Sequence, residues 1–291
     1  MRHTFEPATS PGDVLGAGPT LGIVNPAEAR ARFRLTRVAP VPDLADLVDW
    51  HWVITWDLPP GLTFTQTVVP HPVGNVVAED DGILAHAMPA GLFERALTGT
   101  GRVVGTKLRP GGFRALLGLS GPGHRGDVRQ VGPPDVMAHA VRESLREASS
   151  GRAEAAAGAI TPLLRAVAGR HRTPRSTAAL GALREVFAAI TDAAPGATVA
   201  SLAGEAGTTP RTLQRLFAGW VGVSPKWVLR RHRLHLAAEL LGRDPGRDLA
   251  EVAAVVGYYD QAHFTGDFAR AIGVAPGEYA RRCTSAAALG R

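Results

Sequence analysis

The chain has 291 residues, 45% of them hydrophobic and 20% charged, and a formal net charge of +6 at pH 7. This length and apolar content suit two packed cores. The single cysteine, Cys283, excludes a disulfide framework and a cysteine-based zinc site, and no run of about 18 apolar residues is present to span a bilayer.

The first segment, residues 1–40, is rich in glycine and proline, and we expect it to be partly irregular. Its start, Met1 to Pro11, lacks the apolar stretch of a signal peptide. We therefore expect a cytoplasmic protein with no membrane partner.

In the second segment, residues 41–168, short β-prone runs alternate with turn signals. The predicted strands are Val53–Trp56, Thr63–Val69, Asn75–Ala78, Ile83–Ala87 and Arg102–Leu108. Between two of them, Asp80-Asp81-Gly82 indicates a hairpin. The predicted helices are Leu44–Trp50, one near Gly112–Leu119, Asp135–Ala148 and Arg152–Ala168. The expected fold is a β-rich α+β domain, a small sheet or partial barrel, that serves in sensing or dimerisation. The polar, breaker-rich residues 169–177 then predict an interdomain linker.

The third segment, residues 178–291, contains a repeated pattern. Ala203 and Gly207 recur as Ala253 and Gly257, at an offset of 50 residues, and after the glycines the offset is 51. The later pairs are Leu213/Phe264, Phe217/Phe268, Gly222/Gly273, Val223/Val274, Pro225/Pro276 and Val228/Tyr279. The second copy therefore carries one extra residue in its turn.

The spacing within each copy has a physical explanation. A small residue four positions before a glycine lets two helices cross closely, and the glycine ends the first helix in the left-handed conformation. Leu213 and Phe217, at i and i+4, then bury one face of the next helix and leave the opposite face free. An ordinary helical hairpin explains one such copy, whereas two copies in register favour an all-α domain with two helix-turn-helix units.

A run of positive charge supports a nucleic-acid partner. Residues 211–233 contain six Lys or Arg and no Asp or Glu, and the cations are Arg211, Arg215, Lys226, Arg230, Arg231 and Arg233. A charge run is usually a solvated face, but this run brackets the second helix of the first unit, where phosphate contacts would be needed.

These motifs together resemble the DNA-binding domain of AraC/XylS (arabinose-regulator) type transcription factors. The resemblance covers roughly residues 180 to 282 and includes the following positions: Leu202-Ala203, Gly207, Arg211, Leu213, Arg215, Phe217, Gly222, Ser224-Pro225, Leu229-Arg230-Arg231, Arg233-Leu234, Ala237, Gly257-Tyr258, Asp260-Gln261, His263-Phe264, Phe268, Gly273-Val274, Pro276 and Tyr279. It implies two helix-turn-helix subdomains joined by a linker helix over Pro225–Leu241, with both recognition helices in neighbouring major-groove segments.

The resemblance also assigns site residues. Base-reading positions fall on Arg211, Gln214 and Arg215 in the first unit and on Gln261, His263 and Thr265 in the second. Arginine can bridge guanine O6 and N7, and glutamine can bridge adenine N6 and N7. The expected DNA backbone contacts are Thr209, Thr212, Lys226, Arg230, Arg231 and Arg233. The chain departs from the family at Gly266, where an arginine is common, and at Val228, where the second copy keeps Tyr279.

The N-terminal half resembles the β-rich companion domain of one branch of these regulators. The matching stretches are Trp50–Trp56, Val69–Pro72 and Gly105–Phe113, of which Leu108–Phe113 is the most distinctive. Its Arg-Pro-Gly-Gly turn would bring backbone N–H groups near an anion or would simply join a strand to a helix.

Aromatic and histidine side chains of this half are candidates for an effector pocket. Trp52, Trp56, Phe64, His71 and His86 could line a pocket for a small apolar effector, whereas core packing of a small sheet is the favoured explanation of the aromatic ones. A metal site at His51, His71 and His86 is disfavoured because no carboxylate or second histidine lies at close ligand spacing. We expect neither metal nor cofactor.

The sequence therefore predicts a transcriptional regulator that binds double-stranded DNA, is not an enzyme, and carries effector binding, dimerisation or both in its N-terminal half. The alternatives are a DNA-targeted enzyme and a ligand-free regulator whose N-terminal domain only dimerises. A protein-binding adaptor would have little use for the acid-free run.

Overall fold

In the described part of the chain, a β-rich half is followed by a helical half. The structure is a computed structural model and describes residues 22–23, 26–88, 92–119, 126–132 and 134–288. The strands are β1 Arg34–Val38, β2 Val48–Asp57, β3 Thr63–Val68, β4 Asn75–Glu79, β5 Gly82–His86, β6 Phe93–Thr98, β7 Thr100–Leu108 and β8 Val128–Gln130. The helices are α1 Pro26–Arg32, α2 Gly112–Leu117, α3 Pro134–Ser149, α4 Ala153–His171, α5 Pro174–Thr191, α6 Val199–Glu205, α7 Pro210–Trp220, α8 Pro225–Arg243, α9 Leu249–Val255, α10 Gln261–Ile272 and α11 Pro276–Ala288.

Six strands form one antiparallel sheet in the order β1-β2-β7-β4-β5-β8. Because side chains alternate along a strand, Val53, Val76 and Val104 share one face, which is buried against helices α2, α3 and α4. On the same face His51 lies 2.8 Å from the Thr106 hydroxyl. Burial lowers the pKa of His51 to about 4, so its ring is neutral at physiological pH.

The opposite face of this sheet carries tryptophans paired with glycines. Trp52 and Trp56 lie opposite Gly105 and Gly101 in the β2–β7 register. A Cβ added to Gly105 would lie 2.0 Å from the Trp52 ring, and one added to Gly101 would lie 2.1 Å from the Trp56 ring. The glycines therefore make room for the indoles to lie flat on the sheet.

A two-stranded ribbon of β3 and β6 covers part of that tryptophan face. Phe64 and Leu97 are paired across the ribbon and are buried in a cluster with Phe33 and Leu35, against which the indoles of Trp52 and Trp56 pack. In the described residues the ribbon and the six-stranded sheet share no strand pairing. The predicted partial barrel is thus two packed sheets that do not close.

The helix predicted over Leu44–Trp50 is wrong. A single 3-10 turn covers Pro42–Leu44, and β2 begins at Val48. The β-branched and aromatic residues after Val48 gain a full set of cross-strand partners on β7, and this tertiary pairing outweighs any local helical tendency. The other predicted helices and all five predicted strands are confirmed, as is the hairpin between β4 and β5.

Three strands were not predicted: β1, β6 and β8. Strand β6 has only one buried residue, Leu97, and β8 has none, so neither shows the apolar–polar alternation that marks a half-buried strand. Strand β1 and helix α1 lie within the segment 1–40 that we expected to be partly irregular. Residues 1–21 of that segment lie outside the described residues.

The junction between the two halves is short. Helices α4 and α5 extend over most of the expected linker 169–177 and leave only Arg172 and Thr173 between them. The Thr173 hydroxyl accepts from the Ser176 amide in a capping box, and Pro174 occupies the first helical position. Helix α5 therefore begins directly after the two residues that follow α4.

The helical half contains two helix-turn-helix units, α6–α7 and α9–α10, joined by α8, as predicted. Gly207 and Gly257 end the first helix of each unit with φ of +60° and +78°. One core contains Leu213 and Phe217, and the other contains Phe264. Val69 of the β-rich half is buried in the second core, so the two halves share packed surface.

Among the described residues, every helix is too short or too polar to cross a lipid bilayer.

The contact between Gly105 and the Trp52 ring generates a stability prediction. Gly105→Ala should lower the free energy of unfolding by about 1–3 kcal/mol, because the added methyl group forces the indole off the sheet. The matched control is Gly158→Ala on the exposed face of α4, where nothing lies within 4 Å of the new methyl group. There the same change should stabilise by about 0.5–1 kcal/mol. Denaturant unfolding measures both, and equal effects would contradict the packing described.

Candidate DNA-binding surface

The first candidate recognition helix is α7. Thr209 caps it by accepting from the Thr212 amide, and Pro210 occupies the first helical position. Leu213 and Phe217 are buried in the core of the first unit. The three predicted base-reading side chains all lie on the exposed face of the helix: Arg211, Gln214 and Arg215. The structure thus brings them together as one set of long polar side chains.

The second candidate recognition helix, α10, begins in the same way but presents a sparser face. Asp260 accepts from the His263 amide at 2.7 Å, and Phe264 is buried. Gln261 and His263 are exposed and Thr265 is half-buried. At Gly266 no atom of the described residues lies within 4 Å of an added Cβ, so this position is open towards them.

The second helix itself carries a buried carboxylate, Asp267, which was not among the predicted site residues. Asp267 is 4% exposed and lies 2.6 Å from Arg270. It also accepts from the Tyr258 hydroxyl at 3.1 Å and lies 3.6 Å from His263 Nε2. Arg230, on α8, approaches the same carboxylate at 3.7 Å. The i, i+3 and i, i+4 spacings to Arg270 and His263 were the available sequence signal.

Some expected phosphate-contact residues are accessible. Lys226 and Arg230 are exposed on the first two turns of α8, which starts at the Ser224 cap. Thr212 is exposed at the start of α7, and its hydroxyl lies 3.1 Å from that of Thr209. The Thr209 hydroxyl accepts from the Thr212 amide as the helix cap and donates to the Thr212 hydroxyl, so the Thr212 hydroxyl hydrogen is the one left for a phosphate contact.

Arg231 does not face solvent, and this corrects the expectation of a phosphate contact. It is 8% exposed and donates to the carbonyl oxygens of Pro70 at 3.2 Å and Ala271 at 3.1 Å. Arg233 is also turned inward, because it is half-buried and donates to the Ala197 carbonyl at 2.7 Å. Since residues two positions apart do not share a helix face, the two side chains leave α8 on different sides, Arg231 towards Pro70 and Ala271 and Arg233 towards Ala197.

The carbonyl of Pro70 also meets a histidine of α8. His235 Nε2 lies 3.4 Å from this oxygen, and the His235 ring stacks on His71 with centroids 4.4 Å apart. Burial, reinforced by the charge of Arg231, lowers the pKa of His235 to about 3, so the ring is neutral here. Loop residues 70–71 of the β-rich half are thus held directly by α8.

The five candidate effector-pocket residues do not converge on one cavity. Trp52, Trp56 and Phe64 belong to one packed cluster. His71 instead stacks on His235, and His86 lies on β5 opposite Asn75. The structure does contain a cleft of about 570 Å³ at the far end of the sheet, beside the turn between α3 and α4. Its lining includes Thr36, Thr55, Trp56, Asp57, Arg102 and Ser149.

Metal-ligating side chains are scattered in the described ranges. No group of three or more His, Cys, Asp or Glu residues there could hold a metal ion.

The different environments of neighbouring arginines generate a second prediction. Arg231→Ala should lower the free energy of unfolding by about 2–3 kcal/mol, because two buried carbonyls lose a charged donor. Arg230→Ala should change it by less than about 1 kcal/mol, since the Arg230 side chain is 47% exposed. Denaturant titration of the two variants measures the difference, and a smaller loss for Arg231 than for Arg230 would refute this assignment.

Two segments of the chain match known families. Residues 36–122 match a domain of unknown function, DUF6597, and residues 202–282 match a family described as a helix-turn-helix domain. The first match covers much of the β-rich half, and the second covers α7 to α10.

Two transcription regulators are similar to about a third of the chain. An AraC-like transcription regulator of Streptomyces lividans is 38% identical over 93 residues, which are 32% of this chain and 30% of the relative. The RCS-specific HTH-type transcriptional activator RclR of Escherichia coli K12 is 35% identical over 85 residues, 29% of this chain and 30% of that protein. The chain therefore spans less than a third of the length of each of these relatives.

Solved structures of similar proteins include fragments and whole chains. The C-terminal domain of AraT from Geobacillus stearothermophilus is 30% identical, covers 34% of this chain and 84% of its own, and has a TM-score of 0.33. ToxT from Vibrio cholerae is 11% identical, covers 81% of this chain and 96% of its own, and has a TM-score of 0.42. Residues 202–282 therefore belong to the helix-turn-helix domain family, and the chain is similar over part of its length to AraC-like transcription regulators, with a DUF6597 domain before that segment.

Proposed function

We propose that the chain is a sequence-specific, double-stranded-DNA-binding regulator of transcription that responds to a small molecule. The observation that carries the DNA-binding part is the pair of capped helices α7 and α10. Each buries one aromatic face in its own core and leaves polar side chains on the opposite face. A helix held in this way can enter the major groove and present its exposed face to base edges.

Base reading is concentrated in the first unit. Arg211 and Arg215 can each bridge the two guanine acceptors, and Gln214 can bridge the adenine donor and acceptor. The second unit offers Gln261, His263 and Thr265, of which the first two are exposed and the third is half-buried. With no side chain at Gly266, the second half-site should contribute fewer base contacts and tolerate more mismatches.

Backbone binding uses a smaller set of cations than the sequence suggested. Lys226 and the threonines Thr209 and Thr212 remain candidates, together with the amides at the start of each recognition helix, whereas Arg230 is exposed but lies 3.7 Å from the Asp267 carboxylate. Arg231 and Arg233 instead hold carbonyl oxygens within the protein.

DNA binding is tested with the full chain and two single variants. The affinity for duplex DNA should fall steeply with salt, because phosphate contacts release counterions. Arg215→Ala should cost about 1–3 kcal/mol on a duplex enriched from a random pool and little on mixed-sequence DNA, whereas Lys226→Ala should weaken both equally. Fluorescence anisotropy across a salt series measures these affinities. Binding whose affinity does not depend on salt would contradict the proposal. An equal loss of affinity for both duplexes in Arg215→Ala would contradict a base-reading role of Arg215.

For the effector, we propose the cleft of about 570 Å³ beside the α3–α4 turn. Its volume lies within the range of small-molecule sites, and hydroxyl groups, an indole and charges of both signs meet there. The Arg102 Nε is buried and has no hydrogen-bond partner among the described residues, although its Nη2 is paired with Asp80 at 3.0 Å. A polar ligand group would satisfy that nitrogen.

Dimerisation through this half stays a prediction, which analytical ultracentrifugation of the full chain measures.

The effector proposal is tested by thermal shift against a panel of polar metabolites. A ligand at about 100 times its dissociation constant should add roughly 2.7 kcal/mol to the stability of the folded chain. Ser149→Trp should abolish the shift by filling the cleft, whereas Ser150→Trp, at the exposed neighbouring position outside the lining, should preserve it. A shift that survives Ser149→Trp would place the ligand elsewhere, and no shift for any compound would leave the ligand-free regulator as the better description.

A further inference from the structure

The buried carboxylate of Asp267 is an unusual feature for a surface that meets phosphates. It lies on the flank of α10, between that helix and α8, with its side chain only 3% exposed. Three groups that could contact DNA surround it: Arg270 at 2.6 Å, His263 at 3.6 Å and Arg230 at 3.7 Å. A negative charge at this place opposes phosphate binding, so its presence needs a physical reason.

Packing alone does not supply that reason. In the repeat, Asp267 corresponds to Leu216 of the first unit, because the two copies are offset by 51 residues here. Leu216 is half-buried and packs against the first core. An apolar side chain is therefore sufficient for packing at this position of the motif. The charge of Asp267 must have a role in the second unit that the first unit does not require.

The carboxylate restrains two arginines. Arg270 is 68% exposed and Arg230 is 47% exposed, so both would be free to reach for phosphates without it. An ion pair to a buried, immobile acceptor holds each guanidinium near the protein surface. The contact between α8 and α10 that Arg230 makes through this carboxylate has no charged counterpart at Leu216.

The same carboxylate orients the histidine of the recognition helix. The His263 ring meets the Tyr258 ring edge-on with centroids 5.2 Å apart. The Tyr258 hydroxyl donates to Asp267 at 3.1 Å. The imidazole of His263 thus lies between the Tyr258 ring and the Asp267 carboxylate, and a hydrogen bond joins these two groups. The His263 side chain is nevertheless 64% exposed.

We propose that Asp267 is a positioning residue of the second reader: it orients His263 for base contact and withholds Arg230 and Arg270 from indiscriminate phosphate contact. The residue thereby lowers affinity for DNA in general and raises discrimination between sequences. This inference rests on the proposed DNA binding and deepens it, because it assigns the specificity of the second half-site to a residue that touches no DNA.

The test uses the full chain and two substitutions of Asp267. Asp267→Asn keeps the shape and removes the charge, and Asp267→Leu installs the side chain of the first unit, where the fold accepts it. Affinity is measured across a salt series on mixed-sequence duplex DNA and on a duplex enriched by the unmodified chain. Thermal unfolding confirms that each variant is folded.

Both variants should bind mixed-sequence DNA more tightly, with a log-log salt slope steeper by about one unit for each arginine that gains a phosphate. The preference for the enriched duplex should fall about fivefold or more as His263 loses its orientation. Adding Arg230→Gln to Asp267→Asn should reverse part of the change in slope. The charge control is Glu251→Gln on α9, which breaks only the pair with Arg247 at 2.5 Å and should leave slope and preference unchanged.

Unchanged or weaker binding to both duplexes with the original salt slope would show a purely structural role and overturn the inference. An equal steepening by Glu251→Gln would reduce the effect to net charge and overturn it as well. If the unmodified chain bound neither duplex, the proposed function itself would fail and the inference with it, so the two failures are distinguishable.

Discussion

The buried guanidinium of Arg231 connects three parts of the molecule: α8, the β-rich half and α10. It extends from α8, which joins the two helix-turn-helix units, and it donates to the Pro70 carbonyl of the β-rich half and to the Ala271 carbonyl near the end of α10. Removing an arginine from water is costly unless its donors find acceptors. Its burial therefore depends on both neighbours staying in place, and His235 packs on the same carbonyl from the next turn of α8.

The positively charged residues of the segment 211–233 therefore fall into two groups, those exposed to solvent and those bonded to carbonyl oxygens of the protein. Arg211, Arg215, Lys226 and Arg230 are exposed, whereas Arg231 and Arg233 bind carbonyl oxygens inside the protein. Since electrostatic attraction to DNA depends on the cations that reach solvent, the effective charge of the surface is smaller than the count of basic residues. The interior cations instead fix the orientation of α8, and with it the geometry of both recognition helices.

The sequence was sufficient for features that depend on local period and repetition. The apolar pair Leu213/Phe217 and its repeat Phe264/Phe268 identified both recognition helices, because a buried face at 3.6-residue spacing is a local property. It was insufficient where a partner distant in the chain decides the outcome. Arg231 and Asp267 look like surface charges until Pro70 and Arg230 are brought beside them, and Val48–Trp50 becomes a strand only because β7 pairs with it.

The short junction at Arg172 and Thr173 limits how a signal can pass between the two halves. Two extended residues span about 7 Å at most, so the halves cannot separate while both helices remain intact. The loop at Pro70 makes a second connection between the halves, because its carbonyl contacts Arg231 and His235 of α8. The β-rich half is therefore attached to the helix between the two helix-turn-helix units in two ways, by the short covalent junction before α5 and by the direct contact of Pro70 with α8.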